Sequence, residues 1–277
     1  MTGPIFDTHA HYCARAFDPD RYALLDSLPG KGVVGACEQA THSGDAPRVL
    51  ELAHRYPWVY AAIGIHPESL LAPEDCGEEG AAPTVSVYGG DWAAELRALA
   101  PFYDDPKVVA VGECGLDYHW PVPREAQLAM FEAHLRLALE LDKPIIVHDR
   151  NAHADVYALL DRYRPTGIVH CYSGSAEDAL RLAAQGLMIG FGGACTFKGA
   201  KRAAKAITAL PMESIVLETD CPYMAPEPVR GSRCDSSLIR YVGEYIAQLK
   251  GLSPEEVFSI TAENARRVYR IPASRGV

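Results

Sequence analysis

Apolar, β-branched runs recur along the chain at regular intervals. They lie at residues 3–9 (GPIFDTH), 33–37 (VVGAC), 59–66 (VYAAIGIH), 108–113 (VVAVGE), 144–148 (PIIVH), 166–170 (TGIVH), 187–190 (LMIG) and 214–220 (SIVLETD). Most are continuously apolar, as strands buried on both faces require. Between them, apolar residues recur at the three- and four-residue spacing of helices, over 124–141, 151–163, 175–185 and 199–210. Two further helical patterns close the chain, 236–250 and 253–269. Ser175 with Asp178 marks one helix start, and Ser253, Pro254 and Glu256 read as cap, first-turn proline and capping-box acid. Eight strand–helix alternations predict a (β/α)8 TIM barrel. A doubly wound open sheet competes with it, but no G-x-G-x-x-G follows the first strand. No linker or shift of composition interrupts the pattern, so residues 1–277 are expected to form one domain. The acidic, poorly periodic stretch 68–90 predicts a long loop after the third strand.

Composition narrows the picture. A chain of 277 residues is normal for one α/β barrel, and 48% hydrophobic content suits a packed core. No apolar run approaches a membrane span, and no basic segment followed by an apolar one opens the chain, so a cytoplasmic location is expected. The eight cysteines are scattered, with no C-x-x-C pair. They are expected to be reduced thiols, and the missing paired spacing argues against a zinc ribbon. With 26 basic and 36 acidic residues the net charge is −10, which argues against a broad nucleic-acid-binding surface. A local anion pocket built on metal ions is compatible with it. No obligate protein partner is evident.

The strand ends carry the chemistry. The first ends in Asp7, His9 and His11, the third in His66, the fourth in Glu113, the fifth in His148, the sixth in His170 and the eighth in Glu218 and Asp220. Barrel enzymes build their sites at that face. His9, His11, Glu113, His148, His170 and Asp220 are therefore expected to converge. Imidazoles and carboxylates are ligands of Zn, Mn, Ni or Fe. Six are too many for one tetrahedral ion and suit two ions sharing a carboxylate. Any one of these residues alone has an ordinary explanation as a hydrogen-bonded loop histidine or a salt-bridged acid. It is their joint placement on five strands that argues for a site. Asp7 is expected to orient a ligand. Arg150, Arg233 and His66 are candidate substrate contacts, since guanidinium matches phosphate bidentately. For Arg233 a plain surface role competes equally. Lys198 and Lys201 read as surface charges, and Cys114, Cys171 and Cys221 as packing residues.

The segments FDTHAHY, AIGIHPE, VGECGLDYH, PIIVHDR, IVHCYSG, LETDCPYMAP and ENARRVY resemble, in order, the signature segments of the TatD family of metal-dependent hydrolases, part of the amidohydrolase superfamily. The resemblance runs from residue 5 to about 270. It implies a distorted TIM barrel, two divalent metal ions (Zn, Mn, Mg, Ni or Fe) and DNase-type phosphodiester hydrolysis. By the family pattern His9 and His11 hold the first metal, Glu113 bridges, His148 and His170 hold the second, and Asp220 completes the first. The segment RGSRCDSS (230–237) departs from the pattern, with Cys234 where Asn is usual and Ser236 where Pro is usual. That departure bears on substrate preference rather than on metal binding.

The expected protein is thus a hydrolase of a phosphodiester, with DNA as substrate, in which metal-activated hydroxide attacks and Asp220 takes its proton, with Glu113 as the second catalytic carboxylate. One rival keeps the site and changes the bond to a small amide, lactone or ester. The other is a metal-storing or partner-binding protein on an inherited barrel, and six intact ligands count against it.

Overall fold

A computed structural model describes residues 3–71 and 86–272. Eight strands, β1 to β8, follow chain order through the sheet. They span Ile5–Ala10, Val33–Gln39, Val59–Ile63, Val108–Asp117, Ile145–Arg150, Gly167–Val169, Leu187–Phe191 and Ile215–Leu217. A helix stands between each consecutive pair: α1 Arg21–Ser27, α2 Ala46–Arg55, α3 Trp92–Leu99, α4 Arg124–Glu140, α5 His153–Tyr163, α6 Ala176–Ala184 and α7 Lys201–Ala209. Helices α8 (Ile239–Lys250) and α9 (Pro254–Val268) follow β8. This is the (β/α)8 topology that the hydrophobic pattern predicts. Most of the long predicted loop at 68–90 lies outside the described residues, as does Cys76.

The described chain falls into two compact units. One comprises residues 3–10, 20–36 and 166–272. Its strands pair in parallel, Gly167 to Val169 against Leu187 to Ile189, and Ile189 to Phe191 against Ile215 to Leu217. A parallel bridge joins Ala10 to Cys221. Strands β6 and β8 are buried throughout, which explains their unbroken apolar runs. Helix α9 has the predicted capping box, Ser253 and Glu256 each accepting the other's amide. It locks onto the sheet through Asn264, whose amide donates to the carbonyls of Met212 and Ile215 at 2.7 and 2.8 Å. Beyond it, the Tyr269 hydroxyl donates to Thr8 at 2.7 Å.

The second unit comprises residues 11–19 and the described part of 37–165. Here β3, β4 and β5 pair in parallel. Its core is made of strand residues such as Ile63, Val111 and Ile146 against Phe131 and Leu135 of α4, all fully buried. Strand β4 is longer than its apolar run suggests. It continues past Glu113 to Asp117, because Gln127 of α4 accepts from the Asp117 amide at 2.7 Å and donates back to its carbonyl at 2.9 Å.

Candidate functional site

Within the second unit the polar cluster forms around an irregularity. The register of β4 on β5 shifts between Val111 and Cys114, so Gly112 and Glu113 lie in a bulge. A bulge re-aims a side chain. Close backbone approach makes it fit: a Cβ on Gly64 would fall 2.6 Å from Gly112 Cα, and one on Gly115 would fall 2.0 Å from the His148 carbonyl oxygen. The three strands thus carry Glu113 into the middle of three imidazoles. Its carboxylate oxygens lie 3.5 Å from His11 Nε2, 3.5 Å from His66 Nε2 and 3.0 Å from His148 Nδ1. One ligand atom from each of His66, Glu113 and His148 falls within 4.8 Å of the others.

His148 meets a carboxylate at each ring nitrogen, because Nε2 lies 3.0 Å from Asp117 Oδ2. Burial would lower its pKa, but hydrogen bonds to Asp117 and Glu113 outweigh that and hold it at about 10. Burial works to raise the Asp117 carboxyl, and the His148 hydrogen bond brings it below the ordinary range. Asp117 also accepts from the His119 amide at 2.8 Å and stands 4.0 Å from Arg150 Nη1. Asp117 escaped the sequence reading. Its signal was present, since it lies an even step beyond Glu113 and a strand alternates faces.

His66 does not end β3, which stops at Ile63; it caps a short 3-10 turn, Pro67–Leu70, with Nδ1 accepting from the Glu68 amide at 3.2 Å. That bond turns Nε2 toward Glu113. Read from sequence as a substrate contact, His66 here joins the ligand-type cluster. The chain entering it is fixed by buried His134, whose Nε2 accepts from the Ile65 amide at 3.1 Å while Nδ1 bonds the Met130 carbonyl at 2.8 Å. Beside His11, the buried Glu38 carboxylate at the end of β2 accepts from the amides of Tyr12 and Cys13 at 2.8 and 2.6 Å. Burial pushes Glu38 up to about 7.

The first unit gathers a second group. His9, fully buried on β1, stacks on His170, with centroids 4.0 Å apart and planes 12° from parallel. Its Nε2 lies 3.7 Å from Asp220 Oδ1. Asp220 stands three residues past β8 with a φ of 59°, and its amide donates to the His9 carbonyl at 2.9 Å. Asp7 braces this turn. It accepts from the amides of His9 and Thr219 and from the hydroxyls of Thr219 and Ser236. Burial still lifts it to about 6. Ser236, in the segment that departs from the family pattern, thus serves the Asp7 network.

Glu218 is buried beside His170, with Oε1 3.7 Å from Nδ1 and accepting from the Cys171 amide. Its other oxygen has no hydrogen-bond partner among the described residues. It packs where only glycine fits, since a Cβ on Gly190 would fall 2.4 Å from it. Burial pushes its pKa to about 8. Arg233, the other candidate substrate contact, makes a bidentate pair with Asp20 at 2.7 Å on each arm. Cys114 and Cys221 are buried packing residues and Cys171 is half-buried, its sulfur 3.9 Å from that of Met224. The described cysteines are free thiols. Among the described residues no helix is long and apolar enough to cross a membrane.

Comparison with known proteins shows the family. A sequence model of the family described as TatD related DNase matches residues 6–270. The uncharacterized metal-dependent hydrolase YabD of Bacillus subtilis (strain 168) is 38% identical over 271 residues, covering 96% of this chain and 99% of the relative. The 3'-5' ssDNA/RNA exonuclease TatD of Erwinia billingiae is 30% identical, covering 97% of this chain and all of the relative. Among solved structures, YJJV, a TatD homolog from Escherichia coli K12, superposes with a TM-score of 0.84 at 30% identity, covering 97% and 98% of the two chains.

Proposed function

Because this chain belongs to the TatD-related DNase family and is a metal-dependent hydrolase, we propose that it cleaves phosphodiester bonds of DNA. The carrying observation is the gathering of imidazoles around the buried Glu113 carboxylate, three ring nitrogens within 3.5 Å of its oxygens. The name borne by the Erwinia relative supports nucleic acid as substrate. The whole chain, 1–277, is read as one catalytic domain.

The residues fit divalent metal ions by their donor chemistry. Each unit collects three of the six proposed ligands: His9, His170 and Asp220 in one, His11, Glu113 and His148 in the other. The buried Glu218 oxygen, which has no donor among the described residues, is the kind of group a nearby cation stabilises. Under this reading each of these two sets of side chains would hold a divalent ion. Bound ions would supply Lewis-acid charge at the phosphoryl oxygens and acidify a water. The chain's own residues do the rest. Asp220 accepts the proton of the attacking water. Asp117 orients the His148 ring. Arg150, half-exposed at the end of β5, offers its guanidinium to a non-bridging phosphate oxygen. His66 completes the wall beside Glu113.

Asp220→Asn tests the reading. The amide still presents an oxygen, but it cannot take the proton. Turnover of a labelled oligonucleotide is expected to fall about 10²- to 10⁴-fold with metal content held. Chelation of the wild type should abolish turnover and added metal restore it. Activity of the loaded enzyme on an amide, lactone or carboxylic ester panel, with none on DNA, would sink the phosphodiester assignment and favour a small-substrate hydrolase.

A further inference from the structure

A cavity of about 380 Å³ opens in the first unit immediately beyond His170. Cys171, the next residue, lines it. Tyr172, Phe191, Ala194 and Cys195 give its lining an apolar part, and Lys201 and Arg202 at the start of α7 also line it. Tyr172 and Phe191 meet edge to face, 6.2 Å apart, and Tyr172 is held by a hydrogen bond from its hydroxyl to the Ser175 carbonyl. An apolar cavity of this size with a few polar groups at one side is the usual form of a small-ligand site.

The charge around it is unusual for this molecule. In a chain of net charge −10, no acidic residue occurs between Asp178 and Glu213, while that stretch contains Arg181, Lys198, Lys201, Arg202 and Lys205. Lys201 and Arg202 are exposed and make no ion pair among the described residues. They also occupy the first turn of α7, which has no acidic residue and where the helix dipole disfavours cations. Folding gains nothing from two cations there. An anionic ligand would.

We propose that this cavity is a nucleotide subsite, which seats one nucleoside unit of the substrate against the Tyr172–Phe191 wall and its phosphate on Lys201 and Arg202. It rests on the phosphodiesterase reading and names the part of the substrate that reading leaves unplaced. The occupant must be apolar and flat at one end and anionic at the other, which a nucleotide satisfies and inorganic phosphate does not. Its volume admits a single nucleotide rather than a duplex. Because Cys171, which follows His170 in the chain, lines the cavity, a strand whose scissile phosphate lies at His170 has a neighbouring nucleotide within reach. Lys201, which sequence reasoning makes a plain surface charge, becomes a specificity residue.

The test compares two substrates and one binding measurement on the metal-loaded enzyme. For Lys201→Ser/Arg202→Ser, selectivity for a single-stranded oligonucleotide over bis(p-nitrophenyl) phosphate, taken as the ratio of kcat/KM values, should fall about tenfold, through KM. An equal loss on both substrates, or no loss on either, would overturn the subsite. Binding of a phosphorothioate dinucleotide, followed by calorimetry, should weaken by a similar factor in the same variant. A second variant, Ala194→Leu, narrows the cavity without touching charge and should weaken the same binding. If the wild type turns over no nucleic acid yet binds the dinucleotide in a Lys201/Arg202-dependent way, the catalytic reading fails and the subsite stands. If turnover is intact and binding ignores all three positions, the subsite fails alone.

Discussion

Asp117 shows how much one side chain decides. It sits at the end of β4 and gives His148 a second carboxylate, so both ring nitrogens face acceptors and the imidazole holds its charge well above neutral pH. A ligand must present a deprotonated nitrogen, and its other nitrogen must be held by a partner. Asp117 is placed to be that partner, and Arg150 at 4.0 Å limits the negative charge it adds. Asp117→Asn should therefore lower the His148 pKa, read by NMR of the ring protons in chelated protein. In the same variant, metal affinity should fall about 10- to 100-fold. Unaltered affinity with a shifted His148 would show that the ring is oriented by Glu113 alone.

At the scale of elements, the loops that deliver the polar residues are held by buried groups on the helices and strands around them. His134 on α4 is the clearest case. Burial pushes its pKa down to about 4, and as a neutral ring it accepts from the Ile65 amide just before His66. Its folded value lies below the unfolded one of 6.5, so the unfolded chain binds the extra proton first. The stability from neutral His134 is then present above about pH 6.5 and is lost as pH falls toward 4, by about 3 kcal/mol in all. Comparing urea unfolding of the wild type with His134→Gln between pH 7 and pH 4, in chelator, isolates this term from the buried carboxylates, whose raised values act in the opposite direction. Parallel curves for the two proteins would refute it. Elements also explain the helices that the period did not reveal. Asp20 before α1 is taken by Arg233, and Asp45 before α2 accepts from the amides of Thr41 and His42, so neither caps its helix by side chain. Both helices are short, with 7 and 10 residues. They are fixed by tertiary burial of residues such as Leu25 and Val49.

For the molecule as a whole, the charge of −10 sets how it would meet the proposed nucleic-acid substrate. Attraction has to be local, from bound cations and from a few side chains such as Arg150, Lys201 and Arg202. Each phosphate contact on a single strand contributes about −0.7 to the slope of log affinity against log salt. Two or three such contacts give a slope of roughly −1.5 to −2 for oligonucleotide binding. Binding measured from low to moderate salt should give that shallow dependence, and a slope several times steeper would reveal a cationic surface that none of these residues provides.

The sequence alone determined the alternation of strands and helices, because two-sided burial and helical amphipathicity are written in local periodicity. It also singled out the candidate donor set, since only a few residue types bind divalent ions and seven ordered segments resemble one family. The capping box of α9 was legible for the same local reason: its partners are three residues apart. What only the tertiary structure decided is where those side chains point and how they are charged. The bulge at Gly112–Glu113 aims Glu113 at three imidazoles, and its cause is backbone contact between strands far apart in sequence. His66 enters the cluster through a turn rather than a strand end, and Asp117 through an extension of β4 held by Gln127. The Glu218 oxygen without a partner among the described residues, the ion pair of Arg233 and the cavity lined by Lys201 follow from packing and desolvation, which depend on neighbours that residue order does not disclose.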